Sequence, residues 1–423
     1  MGIRTEYLSQ IRQRTDWKSC VSICIAPGQC QNPSVSISVI VSWQISIMSQ
    51  FWMKCTGRAG FRAEINGKEN NAFMNSKKNY YNPFFSHIYV ERAVREHPRT
   101  RRILRRFPDA HIIIIDHYKD VFCRKGQNPV LQQQSQNLIL GAKQGNLIYQ
   151  GAPVCQSFGN EHFYYTSCVM NCIYDCEYCY LKGMYPSGNI VVFVNLEDIF
   201  EEVRIRLQEH AMYLCISYDT DLMAMESITG YVKEWIDFAK SLADPAPSTP
   251  PPLKIEIRTK SADSLFWQRH TPVPGIIYAV TLSPQAVIDA CEHKTPSLHQ
   301  RLVSVKEAIR QGFAVRLCFD PMIYCKDWEQ QYARMLQQVF ETVDPDKLED
   351  VSVGTFRVSQ DYLKKMRKNR PASAVVQFPY QNDNGVYHYS RKMTEQMEHF
   401  LVDNLTRKLP KEKIFLWENE EIE

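Results

Sequence analysis

The sequence predicts an α/β protein in which a small N-terminal β-α-β domain precedes an incomplete parallel (β/α) barrel or an open parallel sheet. From residue 190 to residue 345, short apolar runs typical of buried strands alternate with amphipathic segments typical of helices. This alternation favours parallel strands, because each helix carries the chain back to the start of the next strand. A length of 423 residues, with 44% hydrophobic and 23% charged residues, suits a globular chain of two or three domains.

The first 75 residues are predicted to be a poorly ordered extension, or an upstream translation from a misassigned start that precedes Met74. The apolar stretch 33–53 is interrupted by serines and by Gln44, so it does not make a continuous membrane span. No basic region followed by an apolar core and a cleavage site opens the chain. We therefore predict no membrane partner.

Residues 84–150 are predicted to form the small N-terminal α/β domain. Its elements are a strand at 88–90, a helix at 98–107, a strand at 111–116 that its apolar run predicts to be buried, and a polar connector at 127–136. Four arginines at helical spacing share one face, which is either solvated or a surface for phosphate groups: Arg95, Arg99, Arg102 and Arg106.

Residues 151–345 are predicted to form the partial barrel, and 346–423 a C-terminal region. The predicted barrel strands are 190–195, 212–218, 254–259, 275–282 and 313–319, and the predicted helices are 196–210, 227–242, 284–291, 298–311 and 328–343. Proline makes 245–252 a stiff linker. The C-terminal region has a predicted strand at 351–356, a basic run at 364–370 and a hairpin at 385–392. The aromatic and cationic residues of that hairpin suit DNA binding or an ordinary surface hairpin, and the net charge of +4 permits either.

Polar residues follow three of the predicted barrel strands directly. They are Asp219, Thr220, Asp221, Lys260, Ser261 and Ser283. Because the chemistry of parallel β/α folds gathers at the carboxyl ends of the strands, we expect these residues to lie near a functional site.

Three cysteines, Cys172, Cys176 and Cys179, are spaced as C-x3-C-x2-C. A cubane [4Fe–4S] cluster normally takes four thiolates, so a loop that supplies three leaves one iron open to a small chelating ligand. This spacing is the signature of radical S-adenosylmethionine (SAM) enzymes, whose usual form has an aromatic residue before the third cysteine, here Tyr178. Cys168 lies four residues upstream and does not fit the spacing.

Zinc and unligated structural cysteines are the two alternatives for this loop. Zinc sites usually combine paired C-x2-C units, but no second pair lies nearby, and His162 is the only histidine in the ten residues upstream. The fourteen cysteines of the chain are scattered without the spacing of a disulfide framework. This distribution indicates a reducing compartment, so we expect a cytoplasmic protein.

At Cys172–Asn195 the chain resembles spore photoproduct lyases, a family within the radical SAM superfamily. The resemblance covers roughly residues 84–420 and includes Arg258–Ser261, Leu282–Pro284, Glu292–Ser297, Gly312–Trp328, Gly354–Arg357 and His97–Arg102. It implies a [4Fe–4S] cluster held by the three cysteines, with SAM bound on the open iron. It further implies a 5′-deoxyadenosyl radical that takes hydrogen from the thymine dimer called spore photoproduct, which then separates into two thymines. The implied partners are DNA containing thymine dimers and an electron donor such as flavodoxin or ferredoxin.

The same resemblance implies roles for individual residues. Thr220, Lys260 and Ser283 would contact SAM, with Tyr178 against its adenine side. Tyr178 and Tyr180 match tyrosines that are proposed in the family to relay hydrogen back to SAM. Independently of the family, the carboxylate of such a cofactor requires a cation, and Lys260 supplies one after a predicted strand.

The position of the hydrogen donor departs from the family pattern. The family uses a cysteine just before a Thr-Ser-Asp-like turn, and an alignment without gaps on Asp221 and Gly230 places Tyr218 there. Cys215 lies three residues earlier on the predicted strand, ~10 Å away and on the opposite face. Either Tyr218 is the donor, or a bulge brings Cys215 into place; a buried strand cysteine is the alternative interpretation of Cys215.

Three functions therefore remain open at this stage. The first is a radical SAM lyase that repairs thymine dimers, and the second is an enzyme of the same family with a different substrate. The third is a non-catalytic, metal-stabilised nucleic-acid-binding protein that uses the arginine face and Tyr387–Lys392, with zinc and no SAM cleavage.

Overall fold

The structure is a computed structural model that describes residues 85–152, 155–242 and 251–417. The predicted extension at 1–75 and most of the predicted linker at 245–252 lie outside the described residues. The strands of the described ranges, numbered in chain order, are β1 His87–Glu91, β2 His111–Ile115, β3 Leu138–Gly141, β4 Ile148–Gln150, β5 Phe163–Thr166, β6 Val169–Met170, β7 Asp175–Cys176, β8 Ile190–Phe193, β9 Met212–Cys215, β10 Leu253–Thr259, β11 Ile276–Thr281, β12 Glu292–His293, β13 Ala314–Met322, β14 Asp350–Thr355, β15 Arg357–Ser359, β16 Gln381–Asp383, β17 Val386–His388 and β18 Ile414–Leu416.

The α-helices of the same ranges connect and cover these strands. They are α1 Pro98–Leu104, α2 Lys119–Phe122, α3 Pro129–Gln134, α4 Leu181–Met184, α5 Leu196–Leu207, α6 Glu226–Thr229, α7 Tyr231–Leu242, α8 Ser264–Gln268, α9 Gln285–Cys291, α10 Leu298–Arg310, α11 Trp328–Thr342, α12 Gln360–Asn369, α13 Ala374–Gln377 and α14 Arg391–Leu405.

An eight-stranded sheet carries the order β18-β14-β13-β11-β10-β9-β5-β4. Every neighbouring pair from β18 to β5 is parallel, and β4 pairs with β5 antiparallel. The edge strands β4 and β18 do not pair with each other in this sheet. The predicted incomplete parallel barrel is therefore confirmed.

A second sheet of five strands has the order β2-β1-β3-β8-β6. Strands β1 and β3 come from the predicted N-terminal domain, and β3 pairs in parallel with β8 of the predicted barrel region. The sheet thus crosses the boundary predicted at residue 150. A parallel β-α-β unit is present, as expected, but its sheet is shared with the rest of the chain.

The prediction that the strand at 111–116 is buried is wrong. Ile112 and Ile113 of β2 are 52% and 37% exposed. Strand β2 lies at the edge of the five-stranded sheet, where one side of a strand has no neighbouring strand. The apolar run therefore predicted the strand correctly, but it did not predict the exposure of that strand.

The polar connector predicted at 127–136 contains a helix instead. Helix α3 begins at Pro129, and the Asn128 side chain caps it by accepting from the backbone N–H groups of Val130 and Leu131. Gln133 of this helix and Gln136 after it both donate to the backbone carbonyl of Cys172, at 3.2 and 3.0 Å. The glutamines are therefore structural supports of the cysteine loop.

Two further boundaries differ from the prediction and affect the site. Strand β9 ends at Cys215, so Tyr218 lies in the following loop and not on the strand. The helix predicted at 227–242 is interrupted at Gly230, which has φ +69° and terminates α6. The loop after β9 consequently begins three residues earlier than expected, at residue 216, and runs to residue 222, where a 3-10 helix at Met223–Met225 begins.

Candidate active site

The carboxyl ends of β9, β10 and β11 meet at one edge of the large sheet, because these strands are parallel and adjacent. Asp221 joins two of the loops there. Its carboxylate accepts from the Thr259 hydroxyl at 2.6 Å and from the Lys260 backbone N–H at 2.7 Å. Asp221 and Lys260, both expected at the carboxyl ends of strands, therefore lie close together, and Asp221 positions the loop that carries Lys260.

The loop of Cys172, Cys176 and Cys179 is held by backbone hydrogen bonds to a distant segment. Strand β7, which contains Cys176, pairs antiparallel with β12, and the N–H of Glu177 donates to the carbonyl of Cys291 at 2.8 Å. Before the loop, Asn171 has a left-handed φ of +72°. Its side-chain amide donates to the carbonyls of Ser187 and Asn189, which compensates for this uncommon backbone conformation.

Two residues of the C-terminal region, Arg370 and Ser373, fix the other side of the same loop. Arg370 and Lys182 both pair with the Asp175 carboxylate, and the Lys182 distance is 3.2 Å. Ser373 donates to Glu177, which also pairs with His293 at 2.9 Å. Residues 370–373 thus bind the cysteine loop directly.

The three thiols suit an iron–sulfur cluster. Cys172 and Cys176 are buried, and Cys179 is half-buried. Burial and the nearby Asp221 and Cys179 raise the pKa of Cys172 to about 12. Burial also raises the pKa of Cys176. Lys260 lowers this pKa, whereas Cys179 and Cys172 raise it further. Three neighbouring thiols, two of them buried and with raised pKa values, need a strongly cationic ligand to become thiolates, and iron provides that charge.

A buried carboxylate, that of Glu292, belongs to the residue that pairs with Cys176 across β7 and β12. The Tyr178 hydroxyl donates to Glu292, and the Ser283 hydroxyl donates to the same oxygen at 2.7 Å. Arg301, fully buried, pairs with the other oxygen of Glu292. Burial alone would raise the pKa of Glu292, but Arg301 and Lys260 outweigh it and hold the pKa at about 2. Glu292 is therefore ionised and fixes the orientation of Tyr178.

Lys260 remains a cation at this edge. Its ammonium lies 5.6 Å from the centre of the Tyr178 ring. Burial opposes the charge, but Cys176 and Glu292 outweigh that effect and raise the pKa of Lys260. A fixed ammonium beside the cysteines is what a carboxylate-bearing cofactor requires.

Three buried polar atoms of the loop after β9 have no hydrogen-bond partner among the described residues: Ser217 Oγ, Asp219 Oδ1 and Thr220 Oγ1. Buried polar groups are normally paired, since an unpaired one costs about 1–3 kcal/mol. Their accumulation on one loop beside Lys260 indicates a place for a polar ligand. Thr220, predicted to contact SAM, is one of the three.

Aromatic side chains surround Tyr218. Its ring stacks on that of Tyr165 with centroids 3.9 Å apart, and the Tyr180 ring is 5.9 Å away. The Tyr180 hydroxyl donates to the backbone carbonyl of Tyr218. The Cys155 thiol donates to the Tyr218 hydroxyl, with Sγ and Oη 3.8 Å apart.

Cys215 lies elsewhere, within β9. Its thiol donates to Glu256 at 3.8 Å, and Glu256 pairs with Arg316 at 2.7 Å and with Arg258 at 2.9 Å. The side chain is fully enclosed in this network below the loop. Cys215 and Tyr218 are both candidate donors from the sequence, and the structure gives them different neighbours.

Sequence reasoning missed four residues of this region: Cys155, Tyr165, Glu292 and Arg301. Glu292 lies in a stretch that carries the family resemblance, and this could have identified it as a candidate site residue. Arg301 lies on α10 one turn after its capping box of Ser297 and Gln300, a pattern that predicts the helix but not the ion pair. Cys155 belongs to no spacing pattern.

The arginine face of α1 is used mainly for internal ion pairs. Arg99 pairs with Glu234 at 2.7 Å and also with Glu197, and Arg102 pairs with Glu234 at 2.6 Å. Together with Arg106, these groups line a surface cleft of about 560 Å³ away from the cysteine loop. The arginine face is therefore neither fully solvated nor a free surface for phosphate groups.

A hairpin lies at 381–388, where β16 and β17 pair antiparallel around a turn at Gly385. It is displaced from the prediction at 385–392, because Arg391 and Lys392 begin helix α14 instead. Tyr389 is buried, and its hydroxyl accepts from the Tyr324 N–H at 2.9 Å. Tyr387 is half-exposed and lies under Arg367, 5.3 Å from ring centre to guanidinium. Of these two tyrosines, Tyr387 is therefore the more exposed.

Over residues 85–152, 155–242 and 251–417, no three His, Cys, Asp or Glu side chains are grouped to bind a single metal ion. In a cubane cluster each thiolate binds a different iron, so its ligands are spread more widely than those of one ion. In the same ranges, no helix has the length and apolar character needed to cross a membrane.

Comparison with known proteins gives a consistent result. A family model described as spore photoproduct lyase matches residues 84–416. The chain is 23% identical over 346 residues to the spore photoproduct lyase of Clostridium acetobutylicum, which covers 76% of this chain and 95% of that protein.

Solved structures of spore photoproduct lyase are similar in fold. A cysteine and serine double mutant with bound AdoMet and dinucleoside spore photoproduct matches with a TM-score of 0.65 and 19% identity, over 79% of this chain and 99% of the other. A cysteine mutant with dinucleoside spore photoproduct matches with a TM-score of 0.64 and 17% identity, over 78% and 97%.

Proposed function

This chain belongs to the spore photoproduct lyase family, and we propose that it is a radical SAM lyase that restores two thymines from spore photoproduct in DNA. The observation that carries the proposal is the position of two buried cysteines and one half-buried cysteine beside Lys260 and the Thr220 hydroxyl, which has no partner among the described residues, at the carboxyl edge of a parallel sheet. Such an edge is where the chemistry of these folds takes place.

The [4Fe–4S] cluster would be held by Cys172, Cys176 and Cys179. When bound, the cluster and SAM supply a 5′-deoxyadenosyl radical that takes a hydrogen atom from the lesion. The protein orients the reactants and excludes side reactions, while the cofactors carry the difficult chemistry.

Lys260 would neutralise the SAM carboxylate, and the Thr220 hydroxyl would donate a hydrogen bond to it. Ser283 is committed to Glu292, so its contribution to SAM binding would come through Tyr178, which Glu292 orients. Tyr178 is buried and Tyr180 is half-buried, so these two rings would limit the access of water to the reacting groups.

DNA would reach this edge over the β15–β17–β16 hairpin and α12. Lys364, Lys365 and Lys368 of α12 are exposed, whereas Arg367 donates to the carbonyls of Val376 and Phe378 at 3.1 and 2.8 Å. These three exposed cations and the half-exposed Tyr387 suit backbone and base contacts. Flavodoxin or ferredoxin would supply the electron, and the cytoplasm is the expected compartment.

The test uses anaerobically purified protein with a reconstituted cluster. After reduction with dithionite, SAM and a dinucleotide that contains spore photoproduct are added, and 5′-deoxyadenosine and the thymine dinucleotide are quantified by chromatography. We expect both products. Cleavage of SAM without restored thymine would contradict the proposed substrate and support another substrate for the same chemistry. Failure to bind iron or cleave SAM would contradict the enzyme itself.

Replacing Lys260 with methionine is expected to weaken SAM binding by ten- to a hundredfold. A hydrogen bond to a charged group contributes about 1.5–3 kcal/mol, and about 1.4 kcal/mol corresponds to tenfold in affinity. Equilibrium binding of SAM to the reconstituted, oxidised protein measures the effect without turnover. Lys254→Met is the matched control, since Lys254 lies near the start of β10, whose other end Lys260 follows, and it donates to Asn160. Equal affinity of the two variants would contradict the role of Lys260.

A further inference from the structure

Helix α3, Pro129–Gln134, lies between the cysteine loop and the protein surface. On its inner face, the buried amide of Gln133 donates to the carbonyls of Cys172 and Tyr174, both at 3.2 Å. On its outer face, Leu131 is 60% exposed. Residues two apart on a helix are turned by about 200° around its axis, and a helix with its side chains is about 10–12 Å wide. Cys172 is therefore separated from this surface by about the width of one helix.

The helix is fixed to the backbone that follows α4. The Gln132 side chain accepts from the Gly188 N–H at 2.9 Å and from the Ser187 hydroxyl at 3.1 Å. A Cβ atom at position 188 would lie 2.5 Å from the carbonyl oxygen of Pro129, so this close approach requires glycine. Helix α3 is thus held firmly against the segment that carries the cysteines.

A narrow crevice lies between α3 and the end of α12, next to the cysteine loop. Gln133, Lys182 and Arg370 are among its lining residues. The backbone N–H of Lys182 donates to the carbonyl of Cys179 at 3.0 Å, so Cys172 and Cys179 are each one hydrogen bond from a residue of the crevice. The crevice offers about 10 Å³, roughly the space of one water molecule, which is too little for a small-molecule ligand. A partner would cover this crevice instead of entering it.

Positive charge is in excess around the crevice. Three cations, Lys182, Lys294 and Arg370, lie around a single carboxylate, that of Asp175. The Lys294 ammonium donates to the Gln133 carbonyl of α3 at 2.8 Å. Burial lowers the pKa of Lys294, and although Asp175 raises this pKa, Lys182 and Arg370 lower it further. The local potential is therefore positive.

The segments on the two sides of the crevice carry no carboxylate. Residues 124–134 include the exposed Arg124 and Lys125, residues 362–380 include five cations, and neither segment contains Asp or Glu. Charge of one sign on a surface attracts a partner of the opposite sign and speeds its association. An exposed leucine within a basic, acid-free rim suits an acidic protein that presents an apolar group.

We propose that an acidic, flavin-carrying electron-transfer protein docks on Leu131 and over this crevice, and that its electron reaches the cluster through α3 and Lys182. The inference rests on the proposed function, because each reductive cleavage of SAM needs one electron from outside the chain. The acidic side chains of the carrier face the cations, and the apolar edge of its flavin packs on Leu131. The reduced flavin is oxidised by one electron and the cluster is reduced by one, while no bond of the chain is made or broken. Interfaces of electron-transfer partners are usually below about 1,200 Å², which suits so small a surface.

The carrier and DNA use opposite faces of α12. Successive residues of a helix are turned by about 100°, so Lys364 and Lys368 lie opposite Met366 and Arg370, which line the crevice. The exposed Lys364 and Lys368 can therefore contact DNA while the carrier covers the crevice. Reduction of the cluster does not require the DNA to leave.

Calorimetric titration of the reconstituted full chain with a purified flavodoxin at low salt tests this surface. We expect Leu131→Glu and the double variant Arg124→Glu/Lys125→Glu each to weaken binding at least tenfold, and added salt to weaken binding of the unaltered chain. Leu265→Glu, which changes another exposed leucine, on α8, is the matched control and should keep the affinity. Equal affinities of the unaltered chain and both test variants would overturn the proposal.

Two other occupants of the surface are distinguished by the same variants. Lys364→Glu/Lys368→Glu should weaken the binding of duplex DNA and keep that of flavodoxin, and Arg124→Glu/Lys125→Glu should do the reverse. Loss of DNA binding in the latter variant, with flavodoxin binding intact, would assign the surface to DNA and contradict the proposal. A dimer of the unaltered chain in sedimentation, dissociated by Leu131→Glu, would assign it to a second copy with the same consequence.

The second readout is the rate of SAM cleavage driven by reduced flavodoxin, divided by the rate driven by dithionite, which needs no docking. At a subsaturating concentration of flavodoxin we expect this ratio to fall at least tenfold in Leu131→Glu and to be unchanged in Leu265→Glu. The proposal fails if the ratio in Leu131→Glu equals that of the unaltered chain. If dithionite drives no SAM cleavage in the unaltered chain, the proposed function fails, and the titration still decides whether flavodoxin binds at this surface.

Discussion

The Cys176→Ala variant is expected to lose the iron–sulfur cluster and, with it, all cleavage of SAM. Cys176 is the central cysteine of the motif and is held in place by the β7–β12 pairing. With two thiolates left, the loop no longer supplies three of the four ligands that a cubane cluster requires. Iron per chain after reconstitution and the amount of 5′-deoxyadenosine should both fall to background.

Cys168→Ala is the control for this variant. Cys168 lies four residues before the motif and is buried in the core, where its sulfur accepts from the Trp235 indole at 3.4 Å. We expect it to keep the iron content and the SAM cleavage of the unaltered chain. Full iron content in Cys176→Ala, or its loss in Cys168→Ala, would show that a different set of cysteines holds the cluster.

The Arg301→Leu variant is expected to destabilise the fold by about 3–5 kcal/mol, because it leaves the buried Glu292 carboxylate without its main partner. Denaturant unfolding of the chain without cluster measures this free energy. Adding Glu292→Gln should recover much of the loss, since it removes the uncompensated charge. Arg310→Leu, which breaks an exposed ion pair on the same helix, is the control and should leave the unfolding midpoint unchanged. An unchanged midpoint in Arg301→Leu would contradict the role of the buried pair.

The same pair makes the stability of the unaltered chain depend on pH in the acid range. The pKa of Glu292 is about 2 in the folded state, compared with its ordinary value of 4.5. The unfolded chain therefore binds more protons between these values, and folding loses free energy as the pH falls from about 4.5 to 2. Above pH 4.5 the contribution is fully present. In the Arg301→Leu variant this acid-range dependence should diminish, because the guanidinium that lowers the pKa is absent.

The parts of the site that depend on local sequence could be predicted from it. The spacing of Cys172, Cys176 and Cys179 within one short loop was sufficient to predict that their three thiols lie together. Lys260 and Asp221 follow buried apolar runs, and parallel strands place their carboxyl ends together whatever the details of the loops. The open parallel barrel follows from the same alternation of strands and helices.

Contacts between distant irregular segments could not be predicted. The pairing of Cys155 with Tyr218 depends on where β9 ends and on the course of the β4–β5 connection, and neither is encoded by a periodic pattern. The Glu292–Arg301 pair requires a two-residue strand to meet the start of α10. The exposure of Ile112 depends on the position of β2 in the order of its sheet, which a strand's own residues do not specify.

The backbone pairing of the cysteine loop has a consequence for how the holoprotein matures. In zinc fingers and similar small domains the metal supplies the folding free energy, so the empty chain is unfolded. Here β12, the Gln133 and Gln136 amides and Arg370 order the loop through bonds that contain no iron. The protein that receives the cluster would therefore already be folded, with the cysteine loop in place. Loss of the cluster to oxygen would leave the protein folded, and the same molecule would bind a new cluster.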